Sequence, residues 1–235
     1  MIVSDMHQPL LRFRHFNRLV VGLLATGIYF CSGSLLAQGT EVSKPSTEKT
    51  VLIVGDSLSA EYGLTRGTGW IAQMTQQASK EAVAAKWVNA SISGDTTAGG
   101  VSRLPSLLKQ HQPQIVILEL GGNDALRGLD LNITQQNLLT MAKASQAAGA
   151  KVLIIAMQVP PNYGTNYLKQ MTAAYEKVAN ATGAQLNAQF LKGVADDPDP
   201  LKWFQADRIH PNEKAQVLMM KNIWPQLKKM LQSSP

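Results

Sequence analysis

The chain has 235 residues, a formal net charge of +6 and one cysteine, at position 31. Thiol catalysis and cysteine-ligated metals are therefore excluded beyond that position, and a secreted domain there must be stable without disulfides. The basic residues are scattered along the chain, so no nucleic-acid partner is expected. A mild excess of lysine near the C-terminus is compatible only with weak association with a membrane surface.

Residues 1–37 have the layout of a cleavable secretory signal peptide. Arginines precede an apolar run from Leu19 to Phe30, and small residues then lead to a cleavage site before Gln38. The run approaches the length of a spanning helix, so a retained anchor is the alternative. Residues 38–49 are polar and are expected to form a disordered lead-in. Residues 50–232 suffice for a single domain, which we expect to be periplasmic or secreted and to be a monomer.

Apolar runs alternate with segments of helical periodicity beyond the lead-in. The predicted strands are Val51–Val54, Lys86–Ala90, Ile115–Leu120, Val152–Met157 and, more weakly, Gln185–Phe190. The predicted helices are Trp70–Ala84, Val101–His111, Ile133–Ala148, Asn166–Ala181 and a last one from Pro211 toward Leu231, which Pro225 should kink or divide. Nearly continuous apolar strands separated by helices indicate a parallel sheet covered on both faces.

Polar, glycine-rich segments follow each of the first three predicted strands. They are residues 55–57, residues 91–96 and residues 121–124. In sheets of this kind, ligands bind at the carboxyl ends of the strands. The sequence therefore predicts a functional site at that edge of the sheet.

Ser57, His210 and Asp207 have the chemistry of nucleophilic acyl transfer. Asp207 stands three residues before His210, so one turn of backbone can bring the two side chains together. The alternative is that Asp207 only caps the helix that starts near Pro211. His111 is the rival base, but it ends a predicted helix on the amino-terminal side of a strand, at the opposite edge of the sheet.

The oxyanion of a tetrahedral intermediate requires donors held ready for it. Gly94 and Asn123 follow neighbouring strands and are the candidates, although each could equally be an ordinary turn residue. Ser59 occupies the last glycine position of a Gly-x-Ser-x-Gly elbow around Ser57, which disfavours the larger hydrolase fold built on that elbow. Asp56 is expected to hold the turn that presents Ser57.

Four segments together resemble the SGNH, or GDSL, hydrolase family. They are Gly55-Asp56-Ser57-Leu58, Gly94, Gly121-Gly122-Asn123-Asp124 and Asp207-x-x-His210. Within that family, the sequence more narrowly resembles the bacterial thioesterases, lysophospholipases and arylesterases. It extends over residues 55–64, 88–96, 104–112, 119–127 and 161–164.

This resemblance implies a flavodoxin-like three-layer α/β/α sandwich with a five-stranded parallel sheet. It also implies that Ser57 is the nucleophile, His210 the base and Asp207 its orienting acid. The oxyanion hole would consist of the amides of Ser57 and Gly94 and the Asn123 side chain. The implied substrates are acyl thioesters, lysophospholipids and aryl or short-chain esters, and no metal or organic cofactor is expected.

Four residues are candidates for substrate contact, with loop packing as the alternative for each: Tyr62, Leu64, Val159 and Pro160. A carbohydrate O-acetyl esterase is a second possible function, but it should need an aromatic-lined cleft, and the four tryptophans are dispersed in the sequence. A non-catalytic anion-binding module of the same shape is the alternative from another class.

Overall fold

The structure is a computed structural model that describes residues 48–159 and 161–233. The predicted signal peptide, residue 160 and nearly all of the predicted lead-in lie outside the described residues. Lys49, the last residue of that lead-in, belongs to the first strand, where it pairs with Ala85. The described residues form one compact unit.

Five strands and six α-helices alternate along this part of the chain. The strands are β1 (Lys49–Gly55), β2 (Ala85–Asn89), β3 (Ile115–Glu119), β4 (Lys151–Ile155) and β5 (Gln185–Asn187). The helices are α1 (Trp70–Lys80), α2 (Thr97–His111), α3 (Gly122–Leu126), α4 (Leu131–Ala147), α5 (Thr165–Thr182) and α6 (Glu213–Gln232). Short 3-10 turns lie at Pro161–Tyr163 and Pro200–Trp203.

The strands form one parallel sheet in the order β2-β1-β3-β4-β5. The chain reverses direction across the sheet between β1 and β3, which is where an open α/β fold places its ligand site. In the register, Ile53 lies beside Asn89 and Gly55 lies beside Glu119, so three strands end nearly level with one another.

Helices cover both faces of the sheet. One layer contains α2, α4 and α5, and α1 packs against α6 in the other. The side chains of residues 51–54 and 115–118 are fully buried, which explains why these strands are apolar on every residue. The predicted α/β/α sandwich with a five-stranded parallel sheet is confirmed.

Several helix and strand boundaries differ from the predictions, and the differences lie at polar or glycine-rich segments. Helix α2 begins at Thr97, four residues before the predicted start, because the Thr96 side chain caps it by accepting from the Gly99 amide. Strand β5 ends at Asn187, three residues early. The short helix α3 was not predicted, because glycine and asparagine at its start are typical of turns.

Pro225 does not divide the last helix, so this part of the prediction is wrong. Helix α6 continues through it as one element of 20 residues. Ile223, Trp224 and Leu227 are buried against the rest of the domain, and this packing holds the helix across the interruption. None of the helices in the described part of the chain is long and apolar enough to cross a membrane.

We predict that Pro225→Ala stabilises the domain by about 1–2 kcal/mol. The ring is exposed, so little packing is lost, while the alanine amide can complete the bond to the Lys221 carbonyl. Urea unfolding of the domain measures the change. Lys221→Ala is the matched control on the same exposed face and should shift stability by less than about 0.5 kcal/mol. A lower urea midpoint for Pro225→Ala would contradict the prediction.

Candidate functional site

Ser57 lies in a tight turn at the carboxyl end of β1. The Ser59 and Ala60 amides both donate to the Asp56 carbonyl, at 3.3 Å and 2.9 Å, and the Tyr62 amide donates to the Ser57 carbonyl at 3.2 Å. The strand is buried on both faces, so the turn has a rigid base. Ser57 is 7% exposed, so little of the residue is accessible to solvent.

Asp207 and His210 lie in a loop that closes on itself before α6. The Gln205 amide donates to the His210 carbonyl at 2.8 Å, and the Arg208 amide donates to the Gln205 carbonyl at 2.9 Å. Arg208 adopts a left-handed conformation with φ 59°, an uncommon state for a residue with a side chain. The loop thereby aims both functional side chains in one direction.

The three polar side chains form one hydrogen-bonded chain. His210 Nε2 lies 2.9 Å from Ser57 Oγ, and His210 Nδ1 lies 2.7 Å from Asp207 Oδ2. An ionised Asp207 can only accept, so the Nδ1 hydrogen points to it and Nε2 is left to accept from the serine hydroxyl.

Asp207 is held as a carboxylate by hydrogen bonds. Partial burial acts to raise its pKa, but this effect is outweighed by the His210 and Ile209 amides and the His210 ring, and the net pKa is lowered. The two amides donate to Oδ1 at 3.0 Å and 2.9 Å. Its side chain is 37% exposed, so this end of the site is open to solvent.

Asp207 does not cap the last helix. That role belongs to Asn212, whose side chain accepts from the Lys214 amide at 3.0 Å. His111 ends α2, four residues before the amino end of β3, and thus lies at the opposite edge of the sheet from Ser57. Neither alternative to the Ser57–His210–Asp207 arrangement is supported by the geometry.

Two backbone amides and one carboxamide are available beside Ser57. Within the described residues, the amides of Ser57 and Gly94 donate no hydrogen bond, so both are free to bind a ligand oxygen. Gly94 has φ 78°, a backbone conformation that is unfavourable for residues with a side chain. Asn123, at the start of α3, donates from Nδ2 to Asp56 Oδ2 at 3.1 Å. One hydrogen of that amide nitrogen is left for another acceptor.

Two arginines fix the loop that carries Gly94. Arg127 donates from Nη2 to the Gly94 carbonyl at 2.8 Å. Arg103 donates from Nε to Asp95 Oδ2 at 2.8 Å, from Nη2 to the Gly55 carbonyl at 3.3 Å, and from Nη1 to the Ala90 carbonyl. The planar guanidinium of Arg103 therefore ties the ends of β1 and β2 together.

Asp124 connects α3 to the helices around it. Its carboxylate accepts from the Thr97 amide at 2.9 Å, from the Thr97 hydroxyl, and from the Thr134 hydroxyl at 3.3 Å. Asp124 is 2% exposed, so its polar atoms depend on these partners. The short helix that carries Asn123 is thereby fixed to α2 and α4.

The four candidates for substrate contact have different surroundings. Tyr62 is 50% exposed and lies against His210, with ring centroids 4.4 Å apart. Leu64 is half-buried and lines a shallow depression with Gln205 and Glu213. Val159 is buried in the hydrophobic core, so its side chain packs internally. Pro160 lies outside the described residues.

Sequence reasoning did not identify Arg103, Arg127 or Glu119 as parts of the site, and it gave Asp124 as part of a motif without a role. Glu119 had a detectable signal, because it interrupts an apolar run two residues before the glycine pair at 121 and 122. The arginines had none, since their partners are mostly backbone carbonyls distant in sequence. No group of three or more His, Cys, Asp or Glu residues in the described ranges is placed to hold a metal ion.

Most of this chain is similar in sequence to a known protein family and to named bacterial proteins. Residues 53–218 match the GDSL-like lipase/acylhydrolase family. "Esterase TesA" of Pseudomonas aeruginosa is 44% identical over 190 residues, covering 81% of this chain and 93% of that protein. "Thioesterase 1/protease 1/lysophospholipase L1" of Escherichia coli is 44% identical over 168 residues, covering 71% and 77%.

A solved structure shows the same similarity in three dimensions. The psychrotrophic esterase EstA of Pseudoalteromonas sp., inhibited by monoethylphosphonate, superposes with a TM-score of 0.74 at 38% identity. The match covers 79% of this chain and 100% of that chain.

We predict that Arg103→Lys destabilises the domain by about 1–3 kcal/mol, because a single ammonium cannot replace the three directed contacts of the guanidinium. Urea unfolding measures the loss. Arg66→Lys is the matched control, since Arg66 is exposed and makes no hydrogen bond within the described residues. Equal midpoints for the two variants would show that the Arg103 contacts add nothing to stability.

Proposed function

We propose, since the chain belongs to the GDSL-like lipase/acylhydrolase family, that it is a serine esterase acting on acyl esters and thioesters. The observation that carries the proposal is the hydrogen-bonded chain from Asp207 through His210 to Ser57. Relatives named esterase, thioesterase and lysophospholipase support the same substrate class.

In the proposed reaction, Ser57 Oγ attacks the acyl carbonyl while His210 Nε2 takes its proton. The Asp207 carboxylate stabilises the imidazolium that results. His210 then gives the proton to the leaving alcohol or thiol, and an acyl group remains on Ser57. A water molecule, activated by His210 in the same way, releases the acid and restores the hydroxyl.

The proposed oxyanion hole consists of the Ser57 amide, the Gly94 amide and the Asn123 carboxamide. All three come from segments that follow the carboxyl ends of neighbouring strands, and all have a free donor hydrogen. Donors fixed before the reaction need no rearrangement when charge develops on the carbonyl oxygen. Losing one such donor costs about 10²–10³ in kcat.

Exposed apolar side chains around the site support an acyl substrate. Tyr62 lies against His210, Ile209 directly precedes it, and Ile92 stands two residues before Gly94. These three side chains are 50%, 45% and 52% exposed. They offer an apolar surface to an acyl chain without enclosing it, which fits an enzyme with a broad range of esters.

The two competing functions lack such support. Trp70 and Trp224 are buried, and Trp203 donates its Nε1 hydrogen to Asp197, so they do not line an open sugar cleft. A non-catalytic module would have no need for an aligned serine, histidine and aspartate.

We propose further that the enzyme is exported, because residues 1–37 have the layout of a signal peptide, and that it acts as a monomer.

We predict that the protein hydrolyses p-nitrophenyl acyl esters in the presence of a chelator. Ser57→Ala and His210→Ala should each lower kcat by about 10⁴-fold or more, because the nucleophile or its base is lost. Asp207→Asn should lower kcat by about 10²–10⁴-fold, because the amide no longer favours the productive tautomer.

His111→Ala is the control for loss of a histidine, and its kcat should equal that of the wild type. Wild-type activity that is absent, or that survives in Ser57→Ala, would refute the serine mechanism. Assays with medium-chain acyl esters, acyl thioesters, lysophospholipids and acetylated sugars then separate the substrate classes. Hydrolysis of acetylated sugars alone would establish the carbohydrate esterase instead.

A further inference from the structure

Glu119 places a carboxyl group beneath the Ser57 turn. It is the last residue of β3, pairs with Gly55 of β1, and is completely buried. Its Oε2 atom accepts from the Ser59 hydroxyl at 2.6 Å and from the Asp56 amide at 3.2 Å. A Cβ atom at position 55 would lie 2.5 Å from that oxygen, so only glycine leaves room for the carboxyl group.

Asp56 places a second carboxyl group beside the first. It is 2% exposed, and its Oδ1 atom accepts from the Leu58 amide at 3.1 Å. Its Oδ2 atom accepts from Asn123 Nδ2 at 3.1 Å. Asp56 thus joins the turn that carries Ser57 to the side chain proposed for the oxyanion hole.

No described residue forms an ion pair with either carboxyl group. The ion pairs within the described residues involve Asp95, Asp197, Asp207 and Glu81, and none includes Asp56 or Glu119. Two carboxylates buried together without a cation would repel each other and lack water, so one should retain a proton.

Burial raises the pKa of both groups. The pKa of Asp56 rises to about 6, although hydrogen bonds from the Leu58 amide and Glu119 act to lower it, as does the charge of His210. The pKa of Glu119 is raised well above its ordinary value, first by burial and then by the charge of Asp56. His210 and Tyr175 are the other titratable side chains that interact with this pair.

The hydrogen bonds identify which carboxyl group holds the proton. Both donors near Glu119 bind Oε2, while Oε1 is buried and receives no hydrogen bond from any described residue. Both oxygens of Asp56 do receive one. A buried carboxylate oxygen without a donor would be costly, whereas a protonated one needs none.

We propose that Glu119 is a neutral carboxylic acid that donates its Oε1 hydrogen to the Asp56 carboxylate, and that this pair is a positioning device for Ser57 and Asn123. The Asp56 charge orients the Asn123 carboxamide with its nitrogen inward. One Nδ2 hydrogen binds Asp56, and the other is directed to the acyl oxygen. Only this last consequence rests on the proposed esterase function.

The proton on Glu119 can be tested without any substrate. Because its folded pKa is raised from 4.5, the stability that it contributes is present at low pH and is lost as pH rises toward the folded pKa. Because the pKa of Asp56 is about 6, this group is still titrating at pH 6, and the slope due to Glu119 is measured above about pH 7. There, one extra bound proton makes the unfolding equilibrium constant increase up to about tenfold per pH unit.

The experiment compares urea unfolding against pH for the wild type, Glu119→Gln and Glu176→Gln. Glu119→Gln mimics the neutral acid and should lose this extra slope above about pH 7. Glu176, an exposed residue of α5, supplies the matched control, whose slope should equal that of the wild type. Equal slopes for all three proteins would refute the proposal.

A second measurement covers the case in which Glu119→Gln does not fold. Infrared spectroscopy of the wild-type protein in neutral buffer should show the carbonyl stretch of a buried, protonated carboxylic acid. Its absence would overturn the proposal directly.

The positioning role is tested by conservative rescue of kcat. Glu119→Leu removes the acceptor of the Ser59 hydroxyl and the Asp56 amide, and Asp56→Asn leaves a single acceptor atom for two donors. Each should lower kcat by about 10²-fold with little change in KM, as for loss of one oxyanion donor.

Glu119→Gln should restore most of the activity lost in Glu119→Leu, because the amide retains an acceptor and a donor. Failure of glutamine to rescue would show that an ionised Glu119 is needed and would overturn the neutral-acid assignment. The pH slope and the infrared band do not depend on turnover, so they judge Glu119 even if the esterase proposal fails.

Discussion

The arrangement of the site depends on the parallel register of the central strands. Gly55 lies directly beside Glu119, and the Ile92 amide donates to the Gly55 carbonyl at 3.0 Å. These contacts bring the ends of β1, β2 and β3 to one level. A slip of one residue would turn the Glu119 side chain to the other face of the sheet and empty the space above Gly55.

The proposed site combines a distant nucleophile with a local acid–base pair. Asp207 and His210 are three residues apart, and their relative position is fixed by hydrogen bonds within one closed loop. Ser57 lies 153 residues before His210 and is brought to it only by the packing of the whole domain. The histidine tautomer is thus a local property, whereas the 2.9 Å contact with the serine depends on the tertiary fold.

Buried polar groups hold the supporting loops without forming an extended salt-bridge network. Asp124 binds hydroxyl groups and an amide, and Asp56 binds an amide and a carboxamide. Such groups are costly to bury unless they are fully hydrogen-bonded. A partly formed arrangement would therefore be unstable, and the turn, the Gly94 loop and the short helix α3 are expected to become ordered together.

Sequence alone determined the fold class and the candidate residues, because hydrophobic periodicity and strand-end motifs are local properties of the chain. It located the five strands, the edge that carries the site, and Ser57, Asp207 and His210. It failed in allowing Pro225 to divide the last helix, which packing prevents, and at the start of α2, where a capping side chain outweighs local preference. Only the tertiary structure revealed the contacts of Arg103 and Asp124 and the pairing of Asp56 with Glu119, because these depend on burial and on partners distant in sequence.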